Sequence, residues 1–575
     1  MEKDLISFIK KNNIGLFNEP ETIRREAKNI FKTKDAKLVF SKTLDIISES
    51  FSLSNTSNLL SYFEFTQDKA EIIKRQEFFK KIIALKKDSA FLKQLKTPES
   101  KWVPDYDITV VTSNEKTFIE LKKLGIPAKF VTTEEDVKYL ESADIIQVID
   151  AEEVETFLDQ LPQTLSINNI EDVYLERYLE IVAGWKKNIE ILKSNESNLT
   201  EDIVELINKL QQLLVLTENK KREKLTKQLV DEKVSEINES LFDKIKTLNF
   251  SGEVLVKILS GNSLPKEVSE IVEKELEANN LPEEVITLGI PLKIDERELA
   301  RYLKEQDSNE FVNSSAKIKK YSVELKKVPL TLEELEQKLI LLDFYSGINK
   351  FSKDNKEFSI INSELEIKNS KNIFLREAQP ISFKLNNEFR CSILTGANSG
   401  GKTTLLEHLI QIITISQIGL PINEKISIPL FTDVYYFAKN KGSLSKGAFE
   451  TLLNQMAEIT PGEQTIILAD EIESVTEPGV AGKILCATAD YFITRNCFVI
   501  IATHLGREIK NNLPRKARID GIEAKGLDEN DELIVDHNPV LGKLANSTPE
   551  LIVEKMARKQ PSDYIKFISE YVKKN

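Results

Sequence analysis

The chain has 575 residues, with 92 acidic and 79 basic side chains, and its formal net charge at pH 7 is −13. This length exceeds one hydrophobic core, so we expect several domains. No apolar run approaches the ~18 residues of a transmembrane helix, and the chain opens with Met-Glu-Lys-Asp rather than with the core of a signal peptide. The three cysteines, Cys391, Cys486 and Cys497, lie near apolar segments at a spacing that matches no metal site. The composition therefore indicates a cytoplasmic protein with reduced cysteines and no membrane partner.

The first 164 residues contain two predicted regions. Residues 1–100 are predicted to be mainly helical. Residues 101–164 have apolar runs typical of three short strands that alternate with three helices, as in a small parallel α/β unit. The strands are predicted at residues 107–111, 128–131 and 145–149, and the helices at residues 116–124, 134–140 and 152–161. Since this insert has no Gly-rich phosphate loop, we expect a structural or partner-docking role for it rather than a second catalytic site.

Residues 165–355 are predicted to return to long amphipathic helices. Thr200 is a candidate N-cap, and the residues after it form one apolar face at helical spacing. This face consists of Ile203, Leu206, Ile207, Leu210, Leu213 and Leu214. Such a stripe indicates a helix packed against a core.

Two basic clusters interrupt this helical region. The first contains Lys220, Lys221, Arg222, Lys224 and Lys227, and the second contains Lys317, Lys319, Lys320, Lys326 and Lys327. Either cluster fits an arm tip that grips DNA phosphates, and either also fits a solvated helix face. The acidic net charge does not decide between the two, because DNA contacts can be confined to one arm.

A phosphate-binding loop is predicted near residue 400. Residues 395–404 read Thr-Gly-Ala-Asn-Ser-Gly-Gly-Lys-Thr-Thr, and an apolar run at 389–394 indicates the strand before the loop. Glycines let backbone N–H groups surround the phosphates, while Lys402 is expected to reach the β and γ phosphates and Thr403 to coordinate Mg²⁺. The expected ATP contacts in this segment are Gly396, Ala397, Asn398, Ser399, Gly400, Gly401, Lys402, Thr403 and Thr404.

Two later strand ends carry polar residues suited to ATP hydrolysis. The apolar run 465–469 ends in Asp470 and Glu471, as a Walker B strand does. We expect Asp470 to contact the nucleotide and Mg²⁺, and Glu471 to orient and polarise the attacking water. A further apolar run, 497–502, precedes His504, which we expect to hydrogen-bond the γ-phosphate. Glu471, Lys402 and His504 are therefore the predicted catalytic set.

Between these motifs lies a turn of small residues followed by a predicted helix. It reads Gly-Ser-Leu-Ser-Lys-Gly-Ala-Phe-Glu over residues 442–450. In ABC-type ATPases the start of such a helix and its serine face the γ-phosphate bound by the other protomer. Ser443 and Ser445 are therefore expected to complete the site of a second copy, which requires a dimer.

In their order and spacing, these motifs resemble the ATPase domain of MutS proteins. The strings that carry the resemblance are residues 395–404, Ser-Gln-Ile-Gly at 416–419, Ile-Ile-Leu-Ala-Asp-Glu at 466–471 and Ile-Ala-Thr-His at 501–504. A weaker resemblance to the helical core of MutS is carried by Ser-Asn-Leu-Leu-Ser-Tyr at 57–62, Gln-Asp at 67–68 and Ile-Ile-Lys-Arg-Gln at 72–76.

The resemblance implies a multidomain fold. We expect an α-helical core with long helical arms, a small inserted α/β unit and a C-terminal α/β ABC-type P-loop ATPase domain. The expected boundaries are 1–100 and 165–355 for the core and arm, 101–164 for the insert, 356–550 for the ATPase domain and 551–575 for a helical tail.

Other features differ from the MutS proteins that read mismatches. About 50 residues precede the core-like segment, too few for the α/β domain that carries their Phe-x-Glu wedge. The Phe-x-Glu string at residues 17–19 precedes a proline in a loop-like stretch. After Glu471 the usual Gly-Arg-Gly-Thr-Ser-Thr is replaced by Ile-Glu-Ser-Val-Thr-Glu-Pro-Gly, and no Leu-Asp-Leu-His-Gly-like run of a fused nuclease follows His504.

The resemblance therefore implies an ATP-dependent DNA-binding protein without mismatch-reading domains. We expect a nucleoid-associated homodimer that uses ATP and Mg²⁺ at composite sites to clamp double-stranded DNA, in particular branched or recombination intermediates. Mismatch repair with recognition supplied by a partner is one alternative, and an SMC-like chromosome clamp is another. The short interval between Lys402 and Asp470 disfavours the SMC-like clamp, because it leaves no room for a long coiled coil. The absence of an apolar membrane segment disfavours a transporter ATPase.

Overall fold

The computed structural model describes residues 1–19, 30–218, 225–246, 266–287, 289–396, 401–439, 446–471, 478–527, 533–545, 553, 555–558 and 562–574. The chain is mixed α/β and forms two compact units. The first unit consists of Met1–Leu95, Asn195–Ile203 and Leu335–Asn575, and the second of Lys96–Ser194 and Val204–Glu334. Across the described part of the chain, no helix has both the length and the apolar character needed to cross a bilayer.

A parallel four-stranded sheet forms the α/β part of the second unit. Its strands are β1 Ile108–Thr112, β2 Ala128–Phe130, β3 Ile145–Val148 and β4 Thr164–Ser166, in the order β2-β1-β3-β4. The connecting helices are Glu115–Lys123, Glu134–Lys138 and Glu155–Leu158. The three strands and three helices predicted for the insert are thus confirmed. The sequence does not predict the fourth strand, β4, because its segment Thr-Leu-Ser is too short and too polar to indicate a strand.

The rest of the second unit is mainly helical. Its helices are Glu176–Gly184, Lys186–Ser194, Lys227–Lys246, Lys266–Ala278, Glu296–Lys320 and Ser322–Lys326, and the helices Glu201–Leu214 and Val328–Phe351 contain residues of both units. A two-stranded antiparallel sheet is formed by β5 Ile286–Thr287 and β6 Lys293–Ile294. One core contains Val230, Val234, Leu276 and Leu299. The stripe predicted from Ile203 to Leu214 is buried at every member, as expected for a core-facing helix.

The first unit begins with helices packed around aromatic side chains. They are Glu2–Lys11, Lys34–Ser48 and Lys69–Leu85, with the short 3₁₀ helices Ser54–Tyr62 and Ala90–Gln94. The Phe63 ring lies 4.9 Å from the Phe79 ring and 5.8 Å from the Phe344 ring, measured between centroids. The predominantly helical character predicted for residues 1–100 is therefore confirmed for the part that the structure describes.

Among the described residues, ten strands and several helices form the remainder of the first unit. The strands are β7 Ile360–Ile361, β8 Leu365–Ser370, β9 Ile381–Leu385, β10 Cys391–Gly396, β11 Ile426–Ile428, β12 Asp433–Phe437, β13 Thr465–Asp470, β14 Phe498–Ala502, β15 Ala517–Leu527 and β16 Leu533–Leu541. Four of them form a sheet in the order β7-β11-β8-β9, and six form a sheet in the order β12-β13-β14-β10-β15-β16. Besides the helix that follows β10, the helices are Lys446–Ala457, Pro478–Ile493, Gly506–Lys510 and Asp563–Lys574.

The six-stranded sheet is parallel from β12 to β15, and β16 is antiparallel to β15. Every residue of β13 and β14 is buried, as expected for apolar strands covered on both faces. The outer edge of β12 is also covered, because Val434 donates a backbone hydrogen bond to Ile30 (2.8 Å) and accepts one from Lys32 (2.9 Å). The parallel arrangement brings the carboxyl ends of β10, β13 and β14 to one edge.

The helix Lys402–Ile418, called here the P-loop helix, follows β10. Residues 408–418 are buried without exception. Its polar side chains are held by neighbours: the Gln417 amide donates to the Phe431 carbonyl (3.0 Å) and accepts from the Phe431 N–H (2.9 Å). The helix ends at Gly419, whose φ of +90° favours glycine. The P-loop helix is therefore rigidly enclosed, and its first turn points its N–H groups at the edge where β10 ends.

Candidate active site

Glycine is required at both described ends of the phosphate loop. Gly396 has φ +138°, and a Cβ atom there would lie 2.5 Å from the Ile522 carbonyl oxygen. Gly401 has φ +85°, and a Cβ atom there would lie 3.0 Å from Nδ1 of His537. Ala397, Asn398, Ser399 and Gly400 lie outside the described residues. The backbone that frames the loop therefore has the curvature that a phosphate cradle needs.

Lys402 is almost fully buried at the start of the P-loop helix, with 3% of its surface exposed. Its ammonium donates to the Gly396 carbonyl oxygen at 2.8 Å and lies 3.4 Å from Glu471 Oε1. A buried ammonium must be paired with acceptors. The carbonyl and the carboxylate are thus two acceptors that hold Lys402 beside the loop.

Thr403 and Asp470 meet at the next position. The Thr403 hydroxyl donates to Asp470 Oδ2 at 2.5 Å. Asp470 is 1% exposed, and its Oδ1 has no hydrogen-bond partner among the described residues. Burial, together with the charge of Glu471, raises the pKa of Asp470, while the hydrogen bond from Thr403 opposes this shift. A hydroxyl beside a buried carboxylate with an unused oxygen fits Mg²⁺, which binds hard oxygen ligands.

Glu471 has basic side chains on both of its carboxylate oxygens. His504 Nε2 lies 2.5 Å from Oε1, the Lys439 ammonium contacts Oε2, and Lys402 lies on the Oε1 side. Burial alone would raise the pKa of Glu471, but the hydrogen bonds from His504 and Lys439 and the charge of Lys402 outweigh it and lower the pKa to about 2. Glu471 therefore carries a negative charge at neutral pH. Its backbone has φ +48°, an uncommon conformation for a non-glycine residue.

Parallel pairing explains why these side chains meet. Asp470 of β13 is in register with Ala502 of β14, and the Glu471 N–H donates to the Ala502 carbonyl at 2.9 Å. The Thr503 N–H donates to the Leu394 carbonyl of β10, also at 2.9 Å. The ends of the three strands are thus joined by backbone hydrogen bonds. This arrangement fixes the position of Glu471 and His504 relative to the loop.

A cavity of about 310 Å³ adjoins the first turn of the P-loop helix. Leu375, Ile381 and Leu405 give it apolar walls, while Asn372 and His537 add polar groups. The cavity also reaches Thr403 and Thr404. Sequence reasoning does not identify Asn372 and His537 as part of this lining, because single polar residues more than a hundred positions apart form no motif. Its mixture of apolar walls and polar groups suits a small-molecule pocket.

The remaining predicted site residues are the two serines of the turn and the two basic clusters. Ser443 and Ser445 lie outside the described residues, as do Lys220, Lys221, Arg222 and Lys224. Lys227 is exposed at the start of its helix and forms an ion pair with Glu296 at 2.9 Å. In the second basic cluster, the Lys319 ammonium donates to the Ser166 carbonyl, and Lys326 pairs with Asp172 at 2.9 Å.

Comparison with known proteins identifies the family. No family model matches the chain. The DNA-binding protein MutS2 of Pyrococcus furiosus is 31% identical over 561 residues, which cover 91% of this chain and 96% of that protein. The chain belongs to the MutS family. The resemblance to MutS seen in the loop, Walker B and histidine motifs is thereby confirmed.

Other MutS relatives are similar over shorter regions. The endonuclease MutS2 of Fusobacterium nucleatum is 23% identical over 248 residues, 41% of this chain and 31% of that protein. The endonuclease MutS2 of Clostridium botulinum (strain Loch Maree) is 30% identical over 154 residues, 26% of this chain and 19% of that protein. The chain therefore matches less than a third of either endonuclease, and their names describe those longer proteins.

Proposed function

We propose that this MutS-family chain is a DNA-binding ATPase that hydrolyses ATP where β10, β13 and β14 end. One arrangement supports the proposal: Thr403 pairs with Asp470 and His504 pairs with Glu471, while Lys402 approaches the Glu471 carboxylate within 3.4 Å. Phosphoryl transfer requires mainly positioning and stabilisation of negative charge. These five side chains supply both.

The first step in the proposed reaction is an exchange of partners by Lys402. In this structure its ammonium donates a hydrogen bond to the Gly396 carbonyl and lies near Glu471 Oε1. The β and γ phosphates of ATP carry more negative charge than these acceptors and would draw the ammonium toward them. His504 would then hydrogen-bond the γ-phosphate, and the freed Oε1 of Glu471 would polarise the attacking water.

Thr403 and Asp470 are the proposed Mg²⁺ ligands. Their contact places the two side chains side by side, and Oδ1 of Asp470 is not used by any described hydrogen bond. Bound there, Mg²⁺ would supply positive charge to the phosphate oxygens. The hydroxyl and carboxylate of this chain would hold the ion in place.

We further propose that the nucleoside occupies the cavity beside the P-loop helix. Leu375, Ile381 and Leu405 offer apolar contact to a base. The volume of about 310 Å³ is at the lower end of the range of ligand pockets.

The proposal includes DNA and a second copy of the chain. The Pyrococcus furiosus relative is named a DNA-binding protein, which supports DNA as the partner. We propose that residues 356–550 act as an ABC-type ATPase domain and that the helices between residues 201 and 320 act as arms. Ser443 and Ser445 would complete the site of the partner protomer, and the preferred substrate would be branched or recombination DNA.

Two substitutions test the hydrolysis site. Lys402→Ala should lower ATP affinity or turnover by about 100-fold, because the charge that neutralises the phosphates is removed. Glu471→Gln should keep ATP binding within about 3-fold and lower turnover by about 100-fold, because only the polarisation of water is lost. Steady-state ATPase assays and titrations with a nonhydrolysable ATP analogue measure both quantities.

Matched controls are available at exposed positions of the same unit. Lys425→Ala and Glu424→Gln make the same chemical changes before β11, and both variants should behave as wild type. Normal turnover in the Glu471→Gln protein would remove Glu471 from the catalytic role. Absence of ATP turnover in the wild-type protein, with and without DNA, would refute the proposed ATPase function.

A further inference from the structure

Lys439 is a basic residue of the active site that belongs to no recognised motif. It follows β12, which pairs in parallel with β13 so that Phe437 is opposite Ala469. Two residues further along, the same register brings Lys439 level with Glu471. The Lys439 ammonium contacts Glu471 Oε2, the oxygen that His504 and Lys402 leave free.

The backbone that precedes Lys439 is anchored by a separate segment. The Thr33 hydroxyl donates to the Tyr436 carbonyl (2.7 Å) and accepts from the Tyr436 N–H (3.0 Å). The Ala438 N–H donates to Asp35 Oδ2 at 3.2 Å. Thr33 and Asp35 belong to the start of the helix Lys34–Ser48, and Thr33 is its N-cap. The lysine side chain therefore extends from a fixed point at the strand end.

The two oxygens of the Glu471 carboxylate have different partners. Oε1 faces His504 and Lys402, which the proposed reaction directs to the phosphates, and Oε2 faces Lys439. When Lys402 and His504 move to the phosphates, Oε1 loses both of its partners. The contact between Lys439 and Oε2 is then needed to keep the Glu471 carboxylate in its orientation. This need is greater at Glu471, because its backbone φ of +48° lies in a sparsely populated region.

We propose that Lys439 is a positioning residue that holds Oε2 of Glu471, so that Oε1 faces the attacking water once Lys402 and His504 engage the γ-phosphate. The inference rests on the proposed ATP hydrolysis and adds a further side chain to it. Lys439 acts through Glu471 and makes no contact with the phosphates. Its side chain is 46% exposed, compared with 3% for Lys402, which suits a support at the rim of the site rather than a ligand at its centre.

Removal of the ammonium tests this role. Lys439→Met keeps the length of the side chain and removes its charge, so kcat should fall by about 100-fold through misplacement of Glu471. The dissociation constant of a nonhydrolysable ATP analogue should stay within about 2-fold, because the phosphates lose no ligand. Lys439→Arg should restore kcat to within about 10-fold of wild type, since a guanidinium can also hold Oε2. Single-turnover assays confirm that the chemical step is affected.

Lys425→Met, at an exposed lysine before β11, is the matched control and should keep wild-type kcat. Three results would overturn the positioning role while wild-type hydrolysis stands: unchanged kcat in Lys439→Met, increased kcat, or an affinity loss equal to the kcat loss. If Lys439→Met has a lowered unfolding midpoint, Lys439→Gln, which retains a polar head, decides by the same criteria. A wild-type protein without ATPase activity would instead refute the proposed function itself.

Discussion

His408 is a buried histidine of the P-loop helix, and its ring is held by two polar neighbours. Nδ1 lies 3.2 Å from Gln411 Oε1, and Nε2 lies 3.0 Å from Ser370 Oγ. Gln411 Oε1 also accepts from the Ile373 N–H, and the Gln411 amide donates to Asn372. Burial lowers the pKa of His408 to about 4.

This lowered pKa makes stability depend on pH. In the unfolded chain His408 takes up a proton as the pH falls through about 6.5, whereas the folded protein resists protonation down to about pH 4. The stability present above pH 6.5 is therefore lost progressively between pH 6.5 and pH 4. His408 alone should account for a loss of about 2 kcal/mol between pH 7 and pH 5.

Urea unfolding at these two pH values measures the effect. The His408→Gln protein has no titrating ring, so its unfolding free energy should fall by about 2 kcal/mol less than that of wild type over this interval. Other groups titrate equally in both proteins and cancel in the difference. Equal pH dependence in the two proteins would show that His408 is not buried as a neutral ring.

The residues of the proposed active site differ in how far sequence can identify them. Lys402, Thr403, Asp470 and Glu471 stand in strings whose spacing follows directly from a strand, a loop and a helix, so their proximity can be predicted. Lys439 stands in no such string. It reaches Glu471 because β12 pairs with β13, a contact between strands that local sequence does not specify.

At the scale of the elements, continuous apolar runs identify the central strands. The run expected before the loop corresponds to Cys391–Gly396, and the run expected before Glu471 corresponds to Thr465–Asp470. β16 lacks this signal, because Asp536, His537 and Asn538 interrupt its apolar residues. It is a strand through its antiparallel pairing with β15, and this pairing brings His537 to the cavity.

The covered edge of β12 is an element whose energetic role can be measured. Thr33→Val keeps the shape of the side chain but removes the hydroxyl that caps the helix Lys34–Ser48 and serves both backbone groups of Tyr436. We expect a loss of about 2 kcal/mol in the free energy of unfolding, from the cap and the unsatisfied backbone groups. Urea unfolding measures it.

Thr33→Ser retains the hydroxyl and is the matched control, with an expected loss below about 1 kcal/mol. ATPase activity of Thr33→Val should also fall, since Lys439 follows the anchored strand. A Thr33→Val protein as stable as wild type would mean that the hydrogen bonds of Val434 and Ala438 are enough to hold this segment.

For the whole molecule, the composite-site proposal predicts that ATP controls assembly. If Ser443 and Ser445 complete the partner's site, ATP should tighten the dimer, because each bound nucleotide is then shared by two protomers. Because the Glu471→Gln protein should not hydrolyse its bound ATP, the dimer should accumulate. Sedimentation with and without ATP measures this shift. A monomer that hydrolyses ATP at a rate per chain independent of protein concentration would contradict the composite site.

The DNA proposal predicts a steep dependence of binding on salt. DNA phosphates would be neutralised by the cluster Lys220, Lys221, Arg222, Lys224 and Lys227. Each contact with a phosphate that a substitution removes should lower the magnitude of the slope of log affinity against log salt by roughly 0.9 on duplex DNA. Replacing the five residues by Ala should weaken binding to all sequences alike, because phosphate contacts do not read bases. The measurement is a titration of both proteins across a salt series.

The matched control removes five exposed lysines of the first unit, and its slope should equal that of wild type. These lysines are Lys353, Lys356, Lys368, Lys425 and Lys566. A four-way junction should bind better than a duplex with one mismatch, since the proposed substrate is branched DNA. An unchanged slope in the cluster variant would assign the cluster to a solvated face, and a strong mismatch preference would favour mismatch repair.

The enclosure of the P-loop helix has a consequence for hydrogen exchange. With residues 408–418 all buried, its amide hydrogens can exchange with solvent only when the surrounding packing opens cooperatively. If ATP binds at its first turn as proposed, it would stabilise the closed form by RT ln(1 + [ATP]/Kd). Occupancy of the site should therefore slow amide exchange along the whole helix, so that residues without any contact to the nucleotide report its binding.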